Sequence, residues 1–101
     1  KEFSNIKLVQ GDILETVPLY LQENKEIKIS LLHIDVDIYE PTKVILESFY
    51  DKVTEGGIII LDDYNVFPGE THAVDEFFKN KDIQIEQLSF SKKRPSFIIK
   101  K

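Results

Sequence analysis

Apolar residues in this chain fall either into short unbroken runs or into stretches where they recur every three or four positions. Residues 6–9 (IKLV), 29–34 (ISLLHI) and 58–61 (IIIL) are short and rich in β-branched side chains, which predicts strands. The last two are almost continuously apolar, as expected of strands buried on both faces of a parallel sheet. Between the first two runs, Thr16 is placed to cap a helix with Pro18 in its first turn and with Leu19, Tyr20 and Leu21 on its apolar side; polar residues 24–28 end it. Pro41 opens a second helix, in which Val44, Ile45, Phe49 and Val53 share a face and Gly56-Gly57 is the stop. Glu70 or Thr71 opens a third, with Ala73, Val74, Phe77 and Phe78 on one side. Residues 83–90 (IQIEQLSF) alternate as a half-buried strand, and the turn at 91–95 leads into a final strand (SFIIKK), the two forming an antiparallel hairpin. Strands alternating with helices predict an α/β fold with a mainly parallel sheet.

Two of the buried runs end in paired acids. "LLHIDVDIYE" carries Asp35 and Asp37, and "IIILDDYN" carries Asp62 and Asp63. In open α/β sheets ligands bind beyond the carboxyl ends of the strands, and both pairs sit at that edge. Asp35 and Asp37 point to one side if their strand continues. If the two strands are neighbours, the acids converge, and a hard divalent cation such as magnesium or calcium relieves their repulsion. The plainer reading is that acids after strands cap the following helices. Gly11-Asp12 after the first run is either a simple turn or an acceptor for a ligand amino group. His33, inside an apolar run, reads as a hydrogen-bonded core histidine. His72 reads as a helix-surface residue, with a substrate contact as the alternative.

Bulk properties narrow the function class. The chain has 101 residues and a net charge of −5, with one basic cluster, Lys92-Lys93-Arg94, expected to be a solvated turn. Neither nucleic acid nor an anionic membrane is an expected partner. No apolar run approaches the roughly 18 residues of a membrane span. Cysteine is absent, which removes disulfides and thiolate–zinc sites and fits a cytoplasmic setting.

The stretch "HIDVDIYEPTKVILESFYDKVTEGGIIILDDYNVFPGETHAVDEFF" resembles the macrocin O-methyltransferase family, and the likeness runs from "LVQGDI" to "PSFIIKK". The resemblance implies a Rossmann-like class I methyltransferase sheet that closes in an antiparallel hairpin. It also implies S-adenosylmethionine as donor, Mg2+ as the metal, and a sugar-like hydroxyl as acceptor. By position, Asp35, Asp62 and Asp63 would be the metal ligands and Asp37 the general base or an orienter of the acceptor hydroxyl. Gly11, Asp12 and Ile13 would lie against the donor's adenine. Tyr39, Tyr64 and His72 would be acceptor-side contacts.

One departure is large. The four glycines, Gly11, Gly56, Gly57 and Gly69, form no G-x-G donor loop, and the first residue is Lys. The expectation is therefore that residues 1–101 are a single partial domain, the C-terminal half of a longer methyltransferase, inactive alone. The alternative is a non-catalytic half-domain that acts through metal binding or as a homodimer through an unpaired sheet edge. A nucleotide triphosphatase is disfavoured, because no G-x-x-x-x-G-K-[ST] is present.

Overall fold

A computed structural model of the chain describes residues 4–87 and 95–101. The elements are α1 (Ile13–Glu23), β1 (Ile29–Ile34), α2 (Tyr39–Phe49), a 3-10 turn (Tyr50–Lys52), β2 (Val53–Leu61), α3 (Pro68–Phe78), β3 (Glu86–Gln87) and β4 (Ser96–Ile99). They form one four-stranded sheet in the order β1-β2-β4-β3. β1 and β2 run parallel, whereas β2/β4 and β3/β4 are antiparallel. The sheet is thus only partly parallel, because the antiparallel closing strands supply two of the three pairings.

Alternation along β2 and β4 decides where the core lies. Ile59, Leu61 and Ile98 are buried, while Ile58 and Ile99 between them stay exposed. Together with Ile34 they pack on Ile45 and Leu46 of α2 and Val74 and Phe78 of α3. α2 sits between α1 and α3. Among the described residues only one sheet face is covered, so Leu31 is 56% exposed and the expectation of strands buried on both faces is not met.

Other boundaries also differ from the pattern reading. Residues 6–9 are not a strand: among the described residues no neighbouring strand takes their hydrogen bonds, and Leu8 is 91% exposed. α1 begins at Ile13, capped by Asp12 rather than Thr16, and Pro18 lies inside the helix. Val53 is the first residue of β2, and the Gly56-Gly57 pair lies within that strand rather than ending α2. The register between β1 and β2 slips just here, from Ile29↔Val53 to Leu31↔Ile58. Gly56 absorbs the slip with φ +83°, a conformation costly for other residues. α3 starts at Pro68, where a missing N–H costs nothing, two residues before Glu70. The second half of the strand expected at 83–90, most of the turn after it, and the basic cluster lie outside the described residues.

Gly69 brings the N-termini of α2 and α3 together. A Cβ there would stand 2.8 Å from Tyr39 N and 2.9 Å from Ile38 Cα, both backbone atoms that cannot swing away. Gly69→Ala is therefore expected to lower stability by about 1–3 kcal/mol in urea unfolding, despite alanine's better helix propensity. Leu8→Ala, at an exposed position, should stay within about 0.5 kcal/mol. Equal effects from the two would show that the helix ends do not meet.

Candidate metal and acceptor site

β1 and β2 end level with one another, with Ile34 opposite Leu61. Asp62 N–H donates to Ile34 O at 3.0 Å and carries the ladder one residue further. Asp35 and the Asp62-Asp63 pair therefore leave the sheet side by side. Asp37 arrives by another route. The strand stops at Ile34, Ile38 N–H donates to Val36 O at 2.6 Å, and Asp37 takes φ +62° between them. A tight turn, and not strand alternation, returns its carboxylate towards Asp35. A non-glycine residue held in that region costs about 1–3 kcal/mol, which the surrounding contacts must offset.

The result is two overlapping trios of ligand atoms. Oxygens of Asp35, Asp37 and Asp63 lie within 4.8 Å of one another, and so do ligand atoms of His33, Asp35 and Asp62. Asp35 belongs to both. Its carboxyl is raised above the ordinary range, first by a hydrogen bond with Asp63, then by burial and by the charges of Asp62 and Asp63. Asp63, 2% exposed, is raised first by burial and then by its hydrogen bond to Asp37. Acids crowded so that each raises the other's pKa are a donor set suited to a hard dication, whose charge would relieve their repulsion.

Glu70 stands behind the cluster, fully buried. One carboxylate oxygen, Oε2, accepts from Asp63 N–H at 2.9 Å. Its own N–H donates to Asp37 O at 3.2 Å. Oε1 has no hydrogen-bond partner among the described residues. Burial pushes Glu70 up to about 7, against the favourable bond from Asp63 N–H, and the charges of Asp63, Asp37 and Asp35 add to the rise.

Glu70 and His33 are the two site residues that the sequence reading missed. Glu70 was legible as position i of the series 70, 73, 74, 77, 78, which is the buried stripe of α3. His33 is not a core histidine: its side chain is 49% exposed and its Nε2 lies 3.2 Å from Asp62 Oδ1. It alternates with buried Ile34 and so faces the uncovered side of the sheet.

Of the three residues expected on the acceptor side, His72 lies in α3, and Tyr39 at the start of α2 and Tyr64 after β2 are both tied to that helix. The Tyr39 hydroxyl donates to Glu76 Oε1, and its ring centroid is 5.0 Å from that of His72. The Tyr64 hydroxyl donates to Asp75 Oδ1 at 2.6 Å. Both phenols are pushed up to about 12, Tyr39 chiefly by its bond to Glu76 and Tyr64 chiefly by burial. They act as clasps between elements. His72 and Asp75 line an open cleft of ≈ 500 Å³ with Thr71 and Phe67. At the other candidate position, Asp12 Oδ1 accepts from Leu14 N–H at 2.9 Å and caps α1. Ile13 beside it lines a mostly apolar cleft of ≈ 280 Å³ with Val17, Tyr20 and Phe49.

The model of the macrocin-O-methyltransferase (TylF) family matches residues 3–90. This chain belongs to that family. It is 38% identical over 64 residues to the demethyldecarbamoylnovobiocin O-methyltransferase of Streptomyces niveus, a match covering 63% of this chain and 24% of that enzyme. Among solved structures it is similar to CalS11, a calicheamicin methyltransferase, with TM-score 0.80 and 34% identity over 90% of this chain and 36% of CalS11. CalS11 is also described, in its apo form, as a TDP-rhamnose 3'-O-methyltransferase. The O-methyltransferase NovP matches with TM-score 0.64 and 29% identity over 72% of this chain and 30% of NovP. The chain thus spans about a quarter to two-fifths of the length of these family members. Among the described residues no helix is long and apolar enough to cross a membrane.

The buried acid makes a pH prediction. Glu70's folded pKa, about 7, lies above its ordinary value of 4.5, so between these limits the folded chain holds a proton that the unfolded chain has lost. Stability is then highest below pH 4.5 as far as Glu70 is concerned, and it falls as pH rises through about 7. Asp35 and Asp63 act in the same direction from their lower starting point. Glu70→Gln keeps an acceptor for Asp63 N–H and removes the titration. Thermal melts in EDTA should show a smaller loss of Tm between mildly acidic and neutral pH in the variant, and identical slopes would refute the assignment.

Proposed function

We propose that this chain carries the metal and acceptor side of an S-adenosylmethionine-dependent O-methyltransferase that uses Mg2+ and acts on a hydroxyl of a sugar or related natural product. The observation that carries the reading is the convergence of four aspartates from two adjacent parallel strand ends. The sugar-nucleotide name of CalS11 supports the acceptor class.

Asp35, Asp62 and Asp63 would hold the cation, and their oxygen-only chemistry fits it. When bound, a magnesium ion supplies positive charge that orients neighbouring hydroxyls and lowers the pKa of one of them. Asp37, fixed by its turn beside Asp35 and Asp63, takes the hydroxyl proton. The oxygen's electron pair forms the new C–O bond as the carbon–sulfur bond of the donor breaks, and the proton stays on Asp37 until it passes to solvent. Glu70 keeps Asp63 and Asp37 at fixed spacing by bonding the backbone of both. Gly11, Asp12 and Ile13, at the start of α1, would lie against the donor's adenine, with Ile13's apolar cleft beside them. Tyr39 and Tyr64, locked to α3, would form the acceptor-side wall, with His72 open to the acceptor.

The test is transfer of a labelled methyl group from S-adenosylmethionine to a panel of free and nucleotide-linked deoxysugars, with magnesium or with EDTA. Asp37→Asn should lower kcat by roughly 10²–10⁴-fold while magnesium affinity holds. Asp62→Asn should weaken magnesium binding and lower turnover with it. An Asp62→Asn enzyme with unchanged rate and unchanged magnesium dependence would sink the cation assignment.

A further inference from the structure

We propose that Asp35, Asp37 and Asp63 form a second, weaker divalent-cation site beside the one assigned above. An ion seated there takes Asp37 out of use as a base, so excess magnesium or calcium inhibits methyl transfer. The inference rests on the reading of Asp35, Asp62 and Asp63 as the first magnesium site, and adds to it a second ion and a means of control.

Spacing carries it first. Carboxylate oxygens of Asp35, Asp37 and Asp63 lie within 4.8 Å of one another. Oxygens bound to one calcium ion at about 2.3–2.6 Å can stand up to roughly 5.2 Å apart, and around magnesium, at about 2.0–2.1 Å, up to roughly 4.2 Å. The trio therefore suits calcium as it stands and magnesium after a small closure. Asp35 and Asp63 would bridge the two ions, which in paired sites lie about 3.5–4 Å apart. Asp37 is held in place by its backbone: φ +62° and the bond from Ile38 N–H to Val36 O turn it back towards Asp35.

A separate observation points to positive charge on this side of the cluster. Glu70 is fully buried, and its Oε1 has no hydrogen-bond partner among the described residues. Its other oxygen meets Asp63 N–H and its own N–H meets Asp37 O, so it stands behind Asp37 and Asp63. A buried carboxylate oxygen without a bond is costly unless a cation lies near. Asp35, Asp37, Asp62, Asp63 and Glu70 carry five negative charges when ionised, of which one dication neutralises two. A second ion brings the group near balance, and its repulsion by the first makes it the weaker of the two.

The consequence for the reaction follows from Asp37. With the first ion alone, a lone pair of Asp37 stays free for the hydroxyl proton. A second ion occupies that lone pair, the proton has no acceptor beside it, and the new C–O bond does not form. Turnover would rise and then fall as magnesium increases.

The EDTA-treated chain would be titrated with Mn2+, an ion that shares magnesium's carboxylate and water ligands, with the free ion counted by electron paramagnetic resonance. The wild type is expected to take two ions in two steps, the second broadening the bound signal through coupling between neighbouring ions. Asp37→Asn should keep the first step and lose the second. Glu70→Gln keeps an acceptor for Asp63 N–H but removes a charge, and should weaken the second step roughly 10-fold. Asp62→Asn should weaken the first step and leave Asp35, Asp37 and Asp63 able to take one ion. Circular dichroism checks each fold. A wild type that saturates at one ion overturns the second site and leaves a single cation site standing. Two ions bound equally by the wild type and Asp37→Asn place the second ion elsewhere and overturn it too. A wild type that binds no ion removes the cation reading itself, and this inference with it.

Discussion

One buried carboxylate holds the two acid-bearing loops in register. Glu70 accepts from Asp63 N–H after β2 and donates its own N–H to Asp37 O after β1. Burying a carboxylate is expensive unless charge-assisted bonds meet it, and among the described residues only one of its oxygens is met. The position at the first turn of α3 offsets part of that cost, because helix N-termini favour negative charge. Gly69, immediately before it, allows α3's backbone to touch that of α2 and so puts Glu70 within reach of Asp37. The geometry of the site thus depends on a contact between helix ends that only a glycine permits.

Much of this was legible in the chain and some was not, for separable reasons. β1 is bounded at Ile29 and Ile34 as its apolar run implies, and the convergence of acids follows from two such runs becoming parallel neighbours. Val53 misled because its spacing of four from Phe49 fits a helix as well as a strand's first residue. The 3-10 turn at Tyr50–Lys52 lies between them, and helical spacing cannot register it. Gly56-Gly57 looked like a stop because glycine ends helices; here one of the pair admits a register slip inside β2. Residues 6–9 have strand composition, but strand formation needs a partner, and pairing is not a local property. His33 was misplaced through the assumption of two covered faces. With one face covered, period-two alternation puts it beside Asp62.

The residues expected on the acceptor side have structural roles of their own. Tyr39 begins α2 and Tyr64 follows β2, and each hydroxyl donates to a carboxylate of α3. Their raised pKa values follow from that commitment, since losing the proton would set two negative oxygens against one another. The hydroxyls fix α2 and the loop after β2 onto α3, and their rings remain for packing. Asp12 is similar: one of its oxygens caps α1, so any contact to a donor would use a carboxylate whose orientation the helix already sets.

The acid cluster weakens the isolated fold and prepares it for a ligand through the same term. The raised pKa values of Asp35, Asp63 and Glu70 reflect in part how poorly their charges tolerate one another. A dication bound there would recover that repulsion as binding free energy, because the carboxylates are already gathered and need no further ordering. The left-handed turn at Asp37 and the buried Glu70 are costs of folding that flexible loops would avoid. Both hold acids together before any ion arrives. Under the cation reading, stability given up by gathering the acids would reappear as affinity for the ion, so fold and ligand would be linked quantities, and a change to either loop would alter both.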